Sequence, residues 1–366
     1  MDKIAIFIEN YSIGNSPSIV NLLDYLSDNY IIDLFLRSVS LKRDPVLEKS
    51  NIRVIELEGE ISFSYLNEKI KSKFANYKNY ICFEPHGFVL CKRLFPSSKP
   101  IYYSLELYLK DDHAGLVYPK EIMEYERKHI NEIKGLIIQS DEKEYLFRKD
   151  YDLPDRIPSI LIPVTYCGKS NGQKSFMIRE KYGIEKYKKI ALHLGGIAEW
   201  FSCIELALTF SKIENWVLLF HGYPQAGYVK KLYDLLAYNH IENVIISQDT
   251  YDSIEKVDRI IGSCDVGIAW YDDISAGFRA AGKSSGKIPA YLRFGLPVVA
   301  KKYESTSEAI ANTGCGICVD THEEIKDALR IIENKYEDFS NKALLEYDKA
   351  YCFDNYKRKL IEFIEK

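Results

Sequence analysis

The sequence predicts an α/β protein of two tandem domains, each a doubly wound and mostly parallel sheet. Three observations carry that expectation. Short apolar, strand-like runs alternate with segments of helical spacing along most of the chain, as they do where helices cover both faces of a parallel sheet. The rhythm breaks at Ile157–Gly172, where Pro158, Pro163 and the run CGKSNG shift the composition toward that of a linker. A chain of 366 residues also exceeds the size at which one hydrophobic core usually keeps growing. The expected domains are residues 1–165 and 166–350.

In the first half, strands are expected at Lys3–Ile8, Ile31–Leu36, Ile52–Leu57, Asn79–Phe83, Pro100–Ser104, Gly135–Gln139 and Ser159–Ile162. A helix is expected at Ser18–Asn29, where Ile19, Val20, Leu22, Leu23 and Leu26 recur at helical spacing. Ligands of such sheets bind beyond the carboxyl ends of the strands. The loops to inspect are therefore Asn10–Pro17 with Gly14 and Asn15, the Glu84-Pro85-His86-Gly87 segment, and the region of Glu106.

After the linker, a helical segment Lys174–Tyr182 leads to a strand at Lys189–Leu194 and a Gly195-Gly196 turn. A helix at Glu199–Ser211, a strand at Trp216–Phe220, the loop His221-Gly222-Tyr223-Pro224 and a helix at Ala226–Tyr238 follow. Next come a strand at Asn243–Ser247, a helix at Ser253–Ile261 and a strand at Asp265–Trp270. The stretch Gly282–Ala300 then reads as a small-residue turn, a short helix, a Gly295-Leu296-Pro297 stop and a buried Val-Val strand. Ser284, Ser285 and Lys287 stand where that helix begins. They suit either an anion site made of backbone N–H groups, hydroxyls and an ammonium, or an ordinary N-cap with a solvated lysine. A helix near Glu304–Asn312, a strand Cys315–Val319 and helices from Thr321 complete the series.

Hydrophobic residues make up 46%, enough to fill two cores. Against 49 Lys and Arg stand 53 Asp and Glu, so the basic surface of a general nucleic-acid binder is absent. Most of the eight cysteines lie in apolar runs, and the Cys315–Cys318 pair lacks a second pair of zinc ligands nearby. A reducing, cytoplasmic setting follows. MDKIAIFI enters a strand directly, without the features of a signal peptide, and no run approaches the length of a membrane span.

The second half resembles the C-terminal domain of the group 1 (family 4-like) glycosyltransferases, which have the two-Rossmann, GT-B type of fold. The resemblance rests on HLGGI (His193–Ile197), VLLFHGYP (Val217–Pro224), SCDVGIAWY (Ser263–Tyr271), SSGKIPAYLRFGLPVVA (Ser284–Ala300) and GCGICVD (Gly314–Asp320). It is specific only within Ser263–Asp320; the N-terminal half matches in rhythm. It implies two Rossmann-like domains facing an interdomain cleft, with residues 351–366 as a helical tail crossing back to the first. It also implies a nucleotide-sugar donor held by the second domain, with a UDP-sugar favoured, and a glycan or lipid-linked acceptor held by the first. No metal or other cofactor is implied. The implied donor contacts are Gly195, Gly196, His221, Arg279, Ser284, Ser285, Lys287 and Tyr291, joined by the Gly14–Asn15 loop; His86 and Glu106 are the catalytic candidates. Asp150-Tyr151-Asp152 has the form of a metal-binding tripeptide but suits a solvated turn.

Many group 1 enzymes carry two glutamates eight residues apart, and the aligned positions here are Gly282 and Ala290. The departure leaves donor identity open and admits a non-catalytic partner subunit, with a nucleotide-sugar epimerase as a minor third reading. Arg279, Lys283 and Lys287 fall at spacings of four and would share a helix face, as a phosphate site or a solvated stripe. His86 suits a general base oriented by Glu84 or Glu106, or a surface loop position. An inverting reaction needs such a base; in a retaining one the leaving phosphate can take the acceptor proton. His193, inside a strand, is expected to be a satisfied core histidine, whereas His221, at a strand end, points better toward a site. Lys69, Lys71, Lys73 and Lys78, with Phe74, Tyr77 and Tyr80 among them, suit peripheral contact with an anionic membrane or a solvated helix face.

Overall fold

The computed structural model describes residues 1–9, 13–37, 44–57, 74, 76–110, 119–247 and 254–366. Lys69, Lys71, Lys73, Ser253 and the first part of the Asn10–Pro17 loop lie outside the described residues. The chain forms two compact units, Met1–Cys167 with Phe353–Lys366, and Gly168–Cys352.

The first unit holds a seven-stranded sheet of β1 (Lys3–Glu9), β2 (Ile31–Arg37), β3 (Ile52–Leu57), β4 (Asn79–Phe83), β5 (Ile101–Tyr103), β6 (Gly135–Ile138) and β7 (Ser159–Leu161). All of its pairings are parallel, in the order β3-β2-β1-β4-β5-β6-β7. The order reverses between β1 and β4, which places a crevice outside their carboxyl ends. Ile4, Ile6 and Ile8 of β1 alternate into a core shared with Leu22, Leu23 and Leu26 of the helix Pro17–Ser27. The C-terminal helix Lys357–Glu365 belongs here because Phe353, Leu360 and Ile364 are buried in the same core. Gly135 makes room for it: a Cβ there would lie 2.6 Å from the Phe363 ring.

Glu84–Gly87 was expected to be a loop but opens the helix Glu84–Leu94 directly after β4. Pro85 sits in the first turn, where a missing N–H costs nothing, and only Gly87 lets the helix close on β1: its Cβ would meet the Phe7 carbonyl at 2.5 Å. Asp150-Tyr151-Asp152 is likewise not a solvated turn. It ends the helix Asp141–Tyr151, with Asp150 ion-paired to Arg127 at 2.6 Å and Tyr151 buried.

The second unit is built from β8 (Lys189–Leu194), β9 (Trp216–His221), β10 (Val244–Ser247), β11 (Val266–Ala269), β12 (Val298–Lys301) and β13 (Gly316–Val319), parallel in the order β10-β9-β8-β11-β12-β13. This too reverses at its first strand, between β8 and β11. The segment after β11 divides into three short helices, Ala276–Arg279, Ala281–Ser284 and Lys287–Arg293. Arg279, Lys283 and Lys287 therefore form no continuous stripe: Arg279 is exposed beside Asp273 while Lys287 is buried. Among the described residues no helix is long and apolar enough to cross a membrane.

Candidate functional site

Two turns at the carboxyl ends of β8 and β9 form the floor of the site. Gly195 has φ +108° and Gly222 φ +147°, both in the region that favours glycine. The turns touch through backbone: the Gly195 N–H donates to the His221 carbonyl at 2.8 Å, and a Cβ on Gly222 would lie 2.0 Å from the Gly195 carbonyl oxygen. The Ile197 N–H donates to the Tyr223 carbonyl at 2.9 Å and fixes the pair further. A Cβ on Gly196 would run into the Phe201 ring at 2.7 Å, and one on Gly195 would lie 3.3 Å from Lys287 Cε.

Lys287 faces that floor from the first position of the helix Lys287–Arg293, with 8% of its surface exposed. Its Nζ lies 3.6 Å from the centre of the Phe201 ring, 5.0 Å from that of Tyr271 and 3.4 Å from His193 Nε2. No carboxylate among the described residues lies within ion-pair distance of it. Burial draws its ammonium down to about 7. Burial, then the neighbouring Lys287, holds His193 well below its ordinary value. His193 is a core histidine but not a satisfied one, since its Nδ1 is buried without a partner. A desolvated lysine against aromatic faces and glycine backbone, with no acid beside it, is chemistry suited to receiving an anion.

The other expected contacts divide around this centre. Ser285 is in it: its hydroxyl accepts from the Lys287 N–H at 3.2 Å and pairs with the Tyr271 hydroxyl. Ser284 turns its hydroxyl to the Ala280 carbonyl at 3.0 Å. Tyr291 is wholly buried in the space left by Gly267; its hydroxyl accepts from the Leu194 N–H at 2.8 Å and donates to the Ile268 carbonyl at 3.2 Å, bracing the end of β8. His221 supplies its carbonyl to the turn while its ring faces Ser247, with Nδ1 3.1 Å from the hydroxyl.

In the first unit, Gly14 and Asn15 form a 3-10 turn after β1. His86 is buried in the first turn of its helix, and the Glu106 side chain is exposed. The buried acid there is Glu84, a non-glycine residue at φ +60°. One carboxyl oxygen accepts the Leu105 and Glu106 N–H groups at 2.5 and 3.1 Å, and the other is buried without a partner. Burial raises its pKa to about 8 and that of nearby Glu126 to about 7. A carboxyl raised on folding favours the native state while protonated, so stability should fall as the pH rises from 4.5 toward 8. Glu84→Gln should therefore flatten, without abolishing, the loss of melting temperature between about pH 5 and 8; an unchanged slope would mean that Glu84 titrates normally.

Residues 248–345 match the family described as Glucosyltransferase 3-like, C-terminal domain. The whole fold is that of the GT-B glycosyltransferases. HepE of Anabaena, solved with UDP-glucose, superposes with TM-score 0.76 at 14% identity over 99% of each chain. A glycosyltransferase of Rickettsia africae gives 0.74 at 14% identity, covering 100% of this chain and 98% of that one. Sucrose-phosphate synthase of Thermosynechococcus elongatus gives 0.76 at 13% identity, covering 99% and 98%. The chain has the GT-B fold. No curated protein sequence matches it.

Within the GT-B frame the two positions without glutamate acquire a packing explanation. Gly282 lies against the backbone of Ser305, where a Cβ would stand 2.1 Å from the carbonyl oxygen, and Ala290 is 2% exposed inside its helix. Sequence reading missed Phe201 and Tyr271 because they follow the glycine motif and precede the serine motif, respectively, and resemble ordinary core aromatics. The available signal was position: each lies close behind the carboxyl end of a strand that flanks the sheet's reversal.

Proposed function

We propose that the protein is a glycosyltransferase that transfers a hexosyl group from a nucleotide-diphosphate sugar, with UDP-sugars favoured, to a glycan or lipid-linked acceptor. The buried, carboxylate-free Lys287 carries this reading. As the glycosidic bond breaks, negative charge grows on the leaving diphosphate, and a cation already desolvated beside it stabilises that charge more strongly than one held in water. Gly195 and Gly196 allow the phosphates to approach backbone that side chains would otherwise cover. Lys287 thus takes the part that a metal would play, and no cofactor beyond the sugar nucleotide is required. The acceptor falls to the first unit, whose crevice between β1 and β4 is flanked by the Gly14–Asn15 turn, Glu84 and His86. HepE, crystallised with UDP-glucose, supports the choice of donor class. The setting we infer is cytoplasmic, with peripheral contact at the inner membrane face during synthesis of surface polysaccharide or glycoconjugate.

The test is titration of the protein with UDP, GDP, ADP, dTDP and CMP, followed by donor hydrolysis. UDP should bind most tightly and its sugars should turn over slowly without acceptor. Failure of all five to bind at millimolar concentration would overturn the proposal.

A further inference from the structure

The contact between His193 and Lys287 fixes a proton. His193 Nε2 lies 3.0 Å from the Gly196 carbonyl oxygen and 3.4 Å from Lys287 Nζ, while Nδ1 is buried without a partner. A carbonyl oxygen only accepts, so Nε2 carries the hydrogen and Nδ1 the bare lone pair. An ammonium has donors and no acceptor, so it can form no hydrogen bond with that N–H. A neutral amine has a lone pair and can share the N–H with Gly196.

Among the described residues, none of the other groups facing Nζ supplies an anion to hold an ammonium there. Cys203, from the helix Cys203–Phe210, is pushed up to about 11 by burial and stays a neutral thiol. Tyr271 presents its ring at 5.0 Å and engages its hydroxyl with Ser285, and Phe201 offers only its face.

We propose that His193 positions Lys287 as a neutral amine in the ligand-free site, and that a nucleoside diphosphate, on binding at the Gly195–Gly196 turn, draws one proton from solvent onto Lys287 Nζ. The inference rests on the donor reading above. The Nζ lone pair takes the proton, the Nε2–H stays with Gly196, and the new ammonium turns its donors to phosphate oxygens. His193 touches neither sugar nor phosphate in this scheme and is a positioning residue.

Calorimetric titration with UDP at about pH 8, in two buffers of different ionisation heat, counts the protons taken up. One unit above a value of about 7, wild type should take up about nine-tenths of a proton. Nucleotide phosphate, with its last ionisation near about 6, contributes little there. Between about pH 8 and 9 the affinity should fall about tenfold. Lys287→Arg should bind UDP with no uptake, because arginine stays charged throughout. His193→Phe keeps ring volume but removes the N–H, and uptake should drop to about half or less; His193→Gln, which retains an N–H donor, should restore it. Binding of UDP by wild type with uptake below about one-tenth of a proton would overturn this inference and leave the donor reading standing. Unchanged uptake in His193→Phe would remove His193 from the scheme. Failure of UDP, GDP, ADP, dTDP and CMP all to bind would overturn both.

Discussion

Lys287→Met should weaken UDP binding by about 10- to 100-fold while leaving the protein at least as stable as wild type. A hydrogen bond from a charged group to phosphate contributes about 1.5–3 kcal/mol, and each 1.4 kcal/mol corresponds to about a tenfold change. The stability half of the expectation follows from burial. Lys287 is 8% exposed, and no acid stabilises its charge. Holding it there costs the fold something that methionine does not, and a thioether packs well against the rings of Phe201 and Tyr271. Calorimetry gives the affinity and thermal melting the stability. A variant that binds UDP as wild type does would take Lys287 out of the site. One that binds weakly but melts far lower would mean that the lysine is structural.

The two sheets were legible because hydrophobic alternation is a local signal and both domains repeat it; β3, β4 and β8 begin and end where the apolar runs do. The Gly195-Gly196 turn and Lys287 could be named for the same reason, as small residues and a cation at strand and helix ends. Their meaning could not be. His193 looked like core because a strand interior is where core histidines sit, and nothing in the spacing reveals that its Nε2 reaches a lysine 94 residues away. Glu84 was obscured by Pro85 and Gly87, which read as loop residues; only tertiary packing shows that Pro85 starts a helix and that Gly87 lets it meet β1. The stripe of Arg279, Lys283 and Lys287 failed because periodicity assumes one helix, and the chain here bends into three.

Restoring the glutamates should harm the protein rather than improve it. At Gly282 a Cβ would stand 2.1 Å from the Ser305 carbonyl oxygen and 3.2 Å from Ser305 Cβ. Backbone cannot swing aside as a flexible side chain can. The Gly282 N–H also donates to Ser305 Oγ at 3.2 Å, and that hydroxyl in turn donates to the Arg279 carbonyl, so displacement would break a chain of bonds joining two of the short helices. Overpacking of this kind costs about 1–3 kcal/mol, and a carboxylate without a partner adds to it. For a unit of this size, about 3 kcal/mol lowers the melting temperature by about 6–12 °C. Ala290→Glu should be similarly damaging, because a position 2% exposed offers a carboxylate neither water nor a cation. Neither variant should bind UDP more tightly than wild type. A Gly282→Glu protein with wild-type melting and stronger UDP binding would mean that the turn can open to admit the acid. The opposite result would mean that this turn is built around glycine and leaves no room for the acid.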